Sequence, residues 1–130
     1  MGICSLETLQ SIRLKVVEAS PDAMLVINRL GEVIDCNEEA EFLFGYVRGE
    51  MLGKSIGQLM PEDSRKDHTK HVSNFFKSPR RREMGVRGTT LEGLSRDGER
   101  FPLHIGLAPI VVEGPEGGLF GLAIVRRTDK

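Results

Sequence analysis

Arg96-Asp97-Gly98-Glu99-Arg100-Phe101-Pro102-Leu103-His104-Ile105-Gly106-Leu107 carries an apolar residue at every second position from Phe101 onward. Phe101, Leu103, Ile105 and Leu107 therefore share one face of a strand, with His104 and Gly106 on the other, and the strand continues to Val112. Asp97-Gly98 just before it is a hairpin signal, because glycine adopts the left-handed backbone of a tight turn without steric cost. The partner strand is expected over Val86–Leu94. Downstream, Gly114-Pro115-Glu116-Gly117-Gly118 turns the chain, and Leu119–Val125 returns as a last strand.

Upstream, the period changes to that of a helix. Met60-Pro61-Glu62-Asp63-Ser64 leads into Arg65-Lys66-Asp67-His68-Thr69-Lys70-His71-Val72-Ser73-Asn74-Phe75-Phe76-Lys77, and Ser78-Pro79 stops the run. Ser64 is the expected N-cap, with Asp67 completing a capping-box-like pair. His68, Val72, Phe75 and Phe76 follow the i, i+4, i+7, i+8 spacing of one buried face, with His71 at its edge. An inward imidazole is either a hydrogen-bonded core residue or a ligand to something held inside. Arg80-Arg81-Arg82, just beyond, reads as a solvated basic loop.

Nearer the amino terminus, Leu6, Leu9, Ile12 and Val16 make an apolar stripe on a helix running from Ser5 to Ala19. Ser5 is its expected cap and Ser20-Pro21-Asp22 its end. Ala23–Asn28 and Glu32–Cys36 are short strands joined through Arg29-Leu30-Gly31, and Asn37 caps the next helix. Glu38 and Glu39 suit the positive end of that helix, Ala40, Phe42, Leu43 and Phe44 supply its core face, and Gly45 closes it. Arg48 to Met60, with Leu52, Ile56 and Leu59 among glycines, suggests short helical turns.

Composition bounds the reading. A chain of 130 residues makes one domain with a sizeable core, and 39% hydrophobic with 28% charged residues is ordinary for a globular protein. A formal net charge of −1 gives no bulk attraction to nucleic acid or an anionic membrane. No apolar run is long enough to span a bilayer. Cys4 and Cys36 make no disulfide framework, so a reducing, cytoplasmic setting is expected. The element order is helix, two strands, several helices, three strands. It implies an α+β design: one antiparallel sheet of five strands, helices gathered on one face, and a space between them.

This arrangement resembles the PAS domain. Ser20-Pro21-Asp22-Ala23 is similar to the family's entry motif. Val33-Ile34-Asp35-Cys36-Asn37 followed by Phe44-Gly45-Tyr46 resembles its Asn…Phe-Gly-Tyr signature. Met51-Leu52-Gly53-Lys54, Leu59-Met60-Pro61 and Arg96-Asp97-Gly98 with Phe101-Pro102 follow in the family's order. The resemblance implies a flanking helix over residues 1–19, a PAS domain over 20–127 and a short tail over 128–130.

Within the family the likeness is to the FixL-type haem-PAS oxygen sensors. Their haem-ligating histidine lies on the long helix after the Met-Pro motif, where this chain has His68. The resemblance thus implies His68 as ligand to haem iron and a pocket lined by Val72, Leu103, Ile105 and Leu107. The gas-contacting arginine of those sensors falls at Thr89, with Arg87 two residues earlier on the same strand face. A helix arginine of theirs is Asn74 here. Haem b is the cofactor so implied; an unidentified metabolite or no ligand at all remain alternatives.

Other chemistries find less support. His68-x-x-His71 lacks a third metal ligand and is not a His-Glu-x-x-His motif. The Asn-Cys-Arg-Phe-Leu-Gln helix of light-sensing PAS domains is absent, and Cys36 ends a strand instead. No phosphate-cradling loop, catalytic triad order, kinase or cyclase signature is present. The resulting expectation is a non-catalytic sensory module of a signalling protein such as a histidine kinase or diguanylate cyclase. It responds to a small ligand, gas or redox signal and forms a homodimer through Leu6, Leu9, Ile12 and Val16. The alternative is a ligand-free dimerisation or protein-interaction module.

Overall fold

The computed structural model describes residues 5–84 and 91–129. Its first helix, α1 (Leu6–Ala19), begins where Ser5 Oγ accepts a hydrogen bond from Thr8 N at 3.1 Å, satisfying one of the donors a helix start leaves free. Ser20 ends it in extended conformation. Strands β1 (Ala23–Ile27) and β2 (Val33–Cys36) form a hairpin. In its turn Asn28 Oδ1 accepts from Leu30 N at 3.0 Å and Glu32 N at 2.9 Å, and Gly31 takes φ 78°.

Asn37 then caps α2 (Glu38–Phe44), its Oδ1 accepting from Ala40 N at 3.0 Å, and Gly45 ends the helix at φ 77°. Ala40 and Phe44 are buried and Leu43 is partly so. Phe42 corrects the expectation: it is 84% exposed. A helix of two turns on a sheet buries only one narrow stripe, and Ala40 with Phe44, four apart, occupy it.

Two 3₁₀ turns, Ile56–Leu59 and Glu62–Ser64, lead into α3 (Arg65–Lys77). Ser64 is not the side-chain cap its sequence suggests. It sits in helical conformation (φ −99°, ψ −9°) at the end of the 3₁₀ turn, so its side chain accepts no capping bond. Ser78 closes α3, and His68, Val72, Phe75 and Phe76 are its buried residues, as the spacing predicts.

The remaining strands are β3 (Arg82–Met84), β4 (Glu92–Leu94), β5 (Arg100–Val112) and β6 (Gly118–Arg127). One expectation changes here: Arg82 belongs to a strand rather than a loop. Of the strand expected over Val86–Leu94 the structure describes the end, as β4, with residues 85–90 outside the described set. Both β3 and β4 run antiparallel to β5, at Leu107–Ile105 and at Pro102–Arg100. The described strands run in the order β2-β1-β6-β5-β3 with β4 also on β5, and every pairing among the described residues is antiparallel, as the α+β reading expects. The hairpin at Asp97-Gly98 is present, with Gly98 at φ 91°.

The inner sheet face contributes Ala23, Leu25, Ile27, Phe101, Leu103, Ile105, Leu107, Ala123 and Val125 to the core. Helix α3 packs close to it at Gly121, where a Cβ would lie 3.2 Å from both Phe75 Cε2 and Ile27 Cγ1. A side chain there would push Phe75 off the sheet.

Candidate ligand cavity

Between α3, the 3₁₀ turns and the inner sheet face lies a cavity of about 550 Å³, within the range small-molecule sites occupy. Its walls are mostly apolar: Leu25 and Ile27 from β1, Ile56, Leu59 and Met60 from the 3₁₀ region, Leu103, Ile105 and Leu107 from β5. The structure brings five of the sequence-derived site residues together here, namely His68, Val72, Leu103, Ile105 and Leu107. Arg87 and Thr89, the other two, lie outside the described residues. The β5 set converges because alternate strand residues face one side, and His68 and Val72 join it because they are four apart on α3.

His68 is only 8% exposed, and its Nε2 is sealed from water with no hydrogen-bond partner. Leaving such an atom unpaired costs about 1–3 kcal/mol, so its position on the cavity wall is a specific feature rather than filler. Burial, and secondarily the nearby His71, pushes the imidazole pKa down to about 4. The ring is therefore neutral at pH 7, the form that ligates metal. His68 also borders a second groove behind α3, which it shares with Ile56 and Val72. His71, on the solvent side of α3, reaches the cavity edge.

Sequence reasoning missed the basic rim. Arg80, Arg81 and Arg82 line this cavity, with Glu83 and Met84 following. The signal was available as an arginine run directly after an inward-facing helix. What linear order could not supply was β3, which folds that run back over β5.

Cys36 lies elsewhere, in a surface groove with Glu38, Glu41 and Arg48. Burial, reinforced by Glu41 and Asp35, raises its thiol pKa to about 11, which keeps it protonated and unreactive. His104 faces the outer side of the sheet, its Nε2 3.7 Å from Glu83 Oε1. No group of three or more His, Cys, Asp or Glu side chains converges as a metal site among the described residues, and none of the described helices is long and apolar enough to cross a membrane.

Comparison with known proteins agrees with this architecture. The chain is 31% identical over 103 residues to sensor protein FixL of Bradyrhizobium diazoefficiens, and 32% identical over 102 residues to oxygen sensor protein DosP of Escherichia coli. These matches cover 79% and 78% of this chain but only 20% and 12% of the two relatives, so it corresponds to a small part of each. Among solved structures, the PAS domain of an HTR-like protein from Haloarcula marismortui superposes with a TM-score of 0.77 at 26% identity, covering 95% of this chain and 94% of that one. The PAS domain of a Colwellia psychrerythraea protein gives 0.76 at 22% identity, covering 92% and 97%, a likeness of fold. A PAS domain family model matches residues 21–126, and the chain belongs to the PAS domain family.

Proposed function

We propose that this chain is a sensory module whose cavity takes haem b, with His68 as ligand to the iron. The observation that carries this reading is His68 Nε2, a buried and unpartnered nitrogen of a neutral imidazole on the wall of an apolar cavity. A haem ligand supplies the missing partner for that atom, and axial histidine is a standard mode of haem attachment. The residues present fit the group: Val72, Leu103, Ile105 and Leu107 offer apolar walls beside His68.

Haem, when bound, supplies an iron centre responsive to gases and to oxidation state. The chain's own contribution is to hold the ring, keep the site dry and pass a change at the cavity into the sheet. Arg87 and Thr89 enter the proposal from their position in the sequence alone. The naming of DosP as an oxygen sensor supports the reading, as does the resemblance of the His68 helix to the FixL-type sensors.

The wider role follows the same proposal. Residues 1–19 act as a flanking helix, 20–127 as the PAS domain and 128–130 as a tail, in a cytoplasmic signalling protein with a separate effector such as a histidine kinase or diguanylate cyclase. The module itself is non-catalytic. A second reading, a ligand-free dimerisation module, is favoured by α1, where Leu6, Ile12 and Val16 are exposed and Leu9 is half-buried. On either reading the helix pairs with a second copy.

The deciding experiment is reconstitution. Wild type mixed with haem is expected to give a Soret band that shifts under carbon monoxide, and His68→Ala to lose it. Identical spectra for wild type and variant would remove His68 from the iron.

A further inference from the structure

A second concavity, about 500 Å³ in volume, lies behind α3, where that helix meets the β1–β2 turn and the first 3₁₀ turn. It shares Ile56, His68 and Val72 with the cavity, but none of Arg80, Arg81 and Arg82 borders it. Its charges are of one sign. Arg29 and Lys77 line it, and no Asp or Glu does so among the described residues. Glu32, the acid nearest Arg29 in the chain, accepts instead from Asn28 Nδ2 at 2.9 Å. Asp67, the one acid of α3, stays off the groove.

Neither cation has an ion-pair or hydrogen-bond partner among the described residues, yet Arg29 is held in place. Its Cζ lies 5.7 Å from the centre of the Phe76 ring, which is buried and edge-on to Phe75. Arg65 adds a third positive group at the wall, its Nε donating to Gly57 O at 2.8 Å. Of the hydroxyls on α3, Thr69 donates to Arg65 O at 2.9 Å, while Ser73 has no partner among the described residues.

An isolated surface cation needs no ligand, because water solvates it. Two cations that line one groove without a counter-carboxylate concentrate a positive potential there, which an anion relieves. A phosphoryl group suits the donors present, since its oxygens accept at once from a guanidinium, an ammonium and a hydroxyl. Leu30 and Ile56, apolar residues of the same wall, offer burial to an attached organic group.

We propose that this groove is a binding site for a small organic phosphate, with Arg29, Lys77 and Ser73 donating to the phosphoryl oxygens. The site is separate from the cavity and does not depend on what the cavity holds.

The experiment titrates the full chain with phenyl phosphate at constant ionic strength, followed by heteronuclear NMR. Amides of Gly31, Ser73 and Lys77 and methyls of Ile56 and Val72 should shift saturably, and those of Leu103 and Leu107 should stay in place. Inorganic phosphate should shift the same signals with lower affinity, and phenol should not shift them. Arg29→Gln/Lys77→Gln, two exposed positions, should weaken phenyl phosphate about tenfold or more, the effect of one or two charge-assisted contacts. Ser73→Ala, also exposed, should weaken it several-fold, and Arg80→Gln/Arg81→Gln should leave it unchanged.

Shifts that never saturate, that centre on Leu103 and Leu107, or that persist in Arg29→Gln/Lys77→Gln would overturn the site. Equal affinity for phenol and phenyl phosphate would overturn it as well. None of these results bears on the Soret band, so the site and the haem reading stand or fall separately.

Discussion

Asn37 Nδ2 donates to Val17 O at 3.2 Å, a bond across twenty residues that joins the cap of α2 to the last turn of α1. The same amide donates to Asp22 O at 2.9 Å, and its Oδ1 accepts from Met24 N at 2.9 Å and Ala40 N at 3.0 Å. One buried side chain thus holds the end of α1, the start of β1 and the start of α2. Asn37→Ala removes a cap and orphans several backbone groups. It should cost about 1–3 kcal/mol in denaturant melts. Hydrogen exchange should show amides near the end of α1 losing protection, and unchanged exchange there would mean that the bond does not anchor the helix.

Phe75 is fully buried between α3 and the sheet, with its ring edge-on to Phe76 at 5.2 Å. Phe75→Ala should destabilise the fold by about 3–5 kcal/mol through lost burial and a residual cavity. Lys70→Ala, on the wet face, should change it by less than about 0.5 kcal/mol. Equal losses would show the helix face to be misassigned.

The depressed pKa of His68 ties stability to acidity. The unfolded chain takes up a proton near pH 6.5, whereas the folded imidazole resists it down to about 4. The unfolded state therefore binds more protons in that window, and stability falls as pH drops from about 6.5 to 4. The loss across the window amounts to about 3 kcal/mol, since each tenfold weakening of proton affinity is worth about 1.4 kcal/mol. Stability curves of His68→Phe should be flatter across this range than those of wild type. Parallel curves would show that another group carries the dependence.

On α1, Leu9→Glu/Ile12→Glu puts charge into the proposed pairing surface, where unpaired buried charge is costly. Light scattering should report a dimer for wild type and a monomer with native circular dichroism for the variant. A wild type monomeric at high micromolar concentration would dismiss pairing through this helix.

Phe42 offers a converse test. Exposed on α2, Phe42→Ser should alter monomer stability by no more than about 0.5 kcal/mol. A loss of several kcal/mol would place its ring in a packed environment in solution.

Local chemistry explains why much of the architecture is legible in the sequence. The period-two run from Phe101, the caps Ser5 and Asn37, and the glycines at 31, 45 and 98 each declare their conformation within a few residues. His68, Val72, Phe75 and Phe76 share a face because helix geometry alone puts them there. The exceptions arise where two local rules compete. Ser64 is a good cap by type, yet the 3₁₀ turn before it claims its backbone. Phe42 is apolar, yet a two-turn helix has no second stripe to bury.

By itself, then, the sequence determined the order and type of the elements, the inward turn of His68 and the family to which the chain is similar, because these depend on neighbours at most a few turns away. Tertiary structure alone decided that His68 Nε2 would be left unpartnered, that β5 would share with His68 the lining of an apolar cavity and that Arg80–Arg82 would reach its rim. Those facts depend on β3 pairing with β5 more than twenty residues further along, and on burial, a property of packing that no local pattern contains.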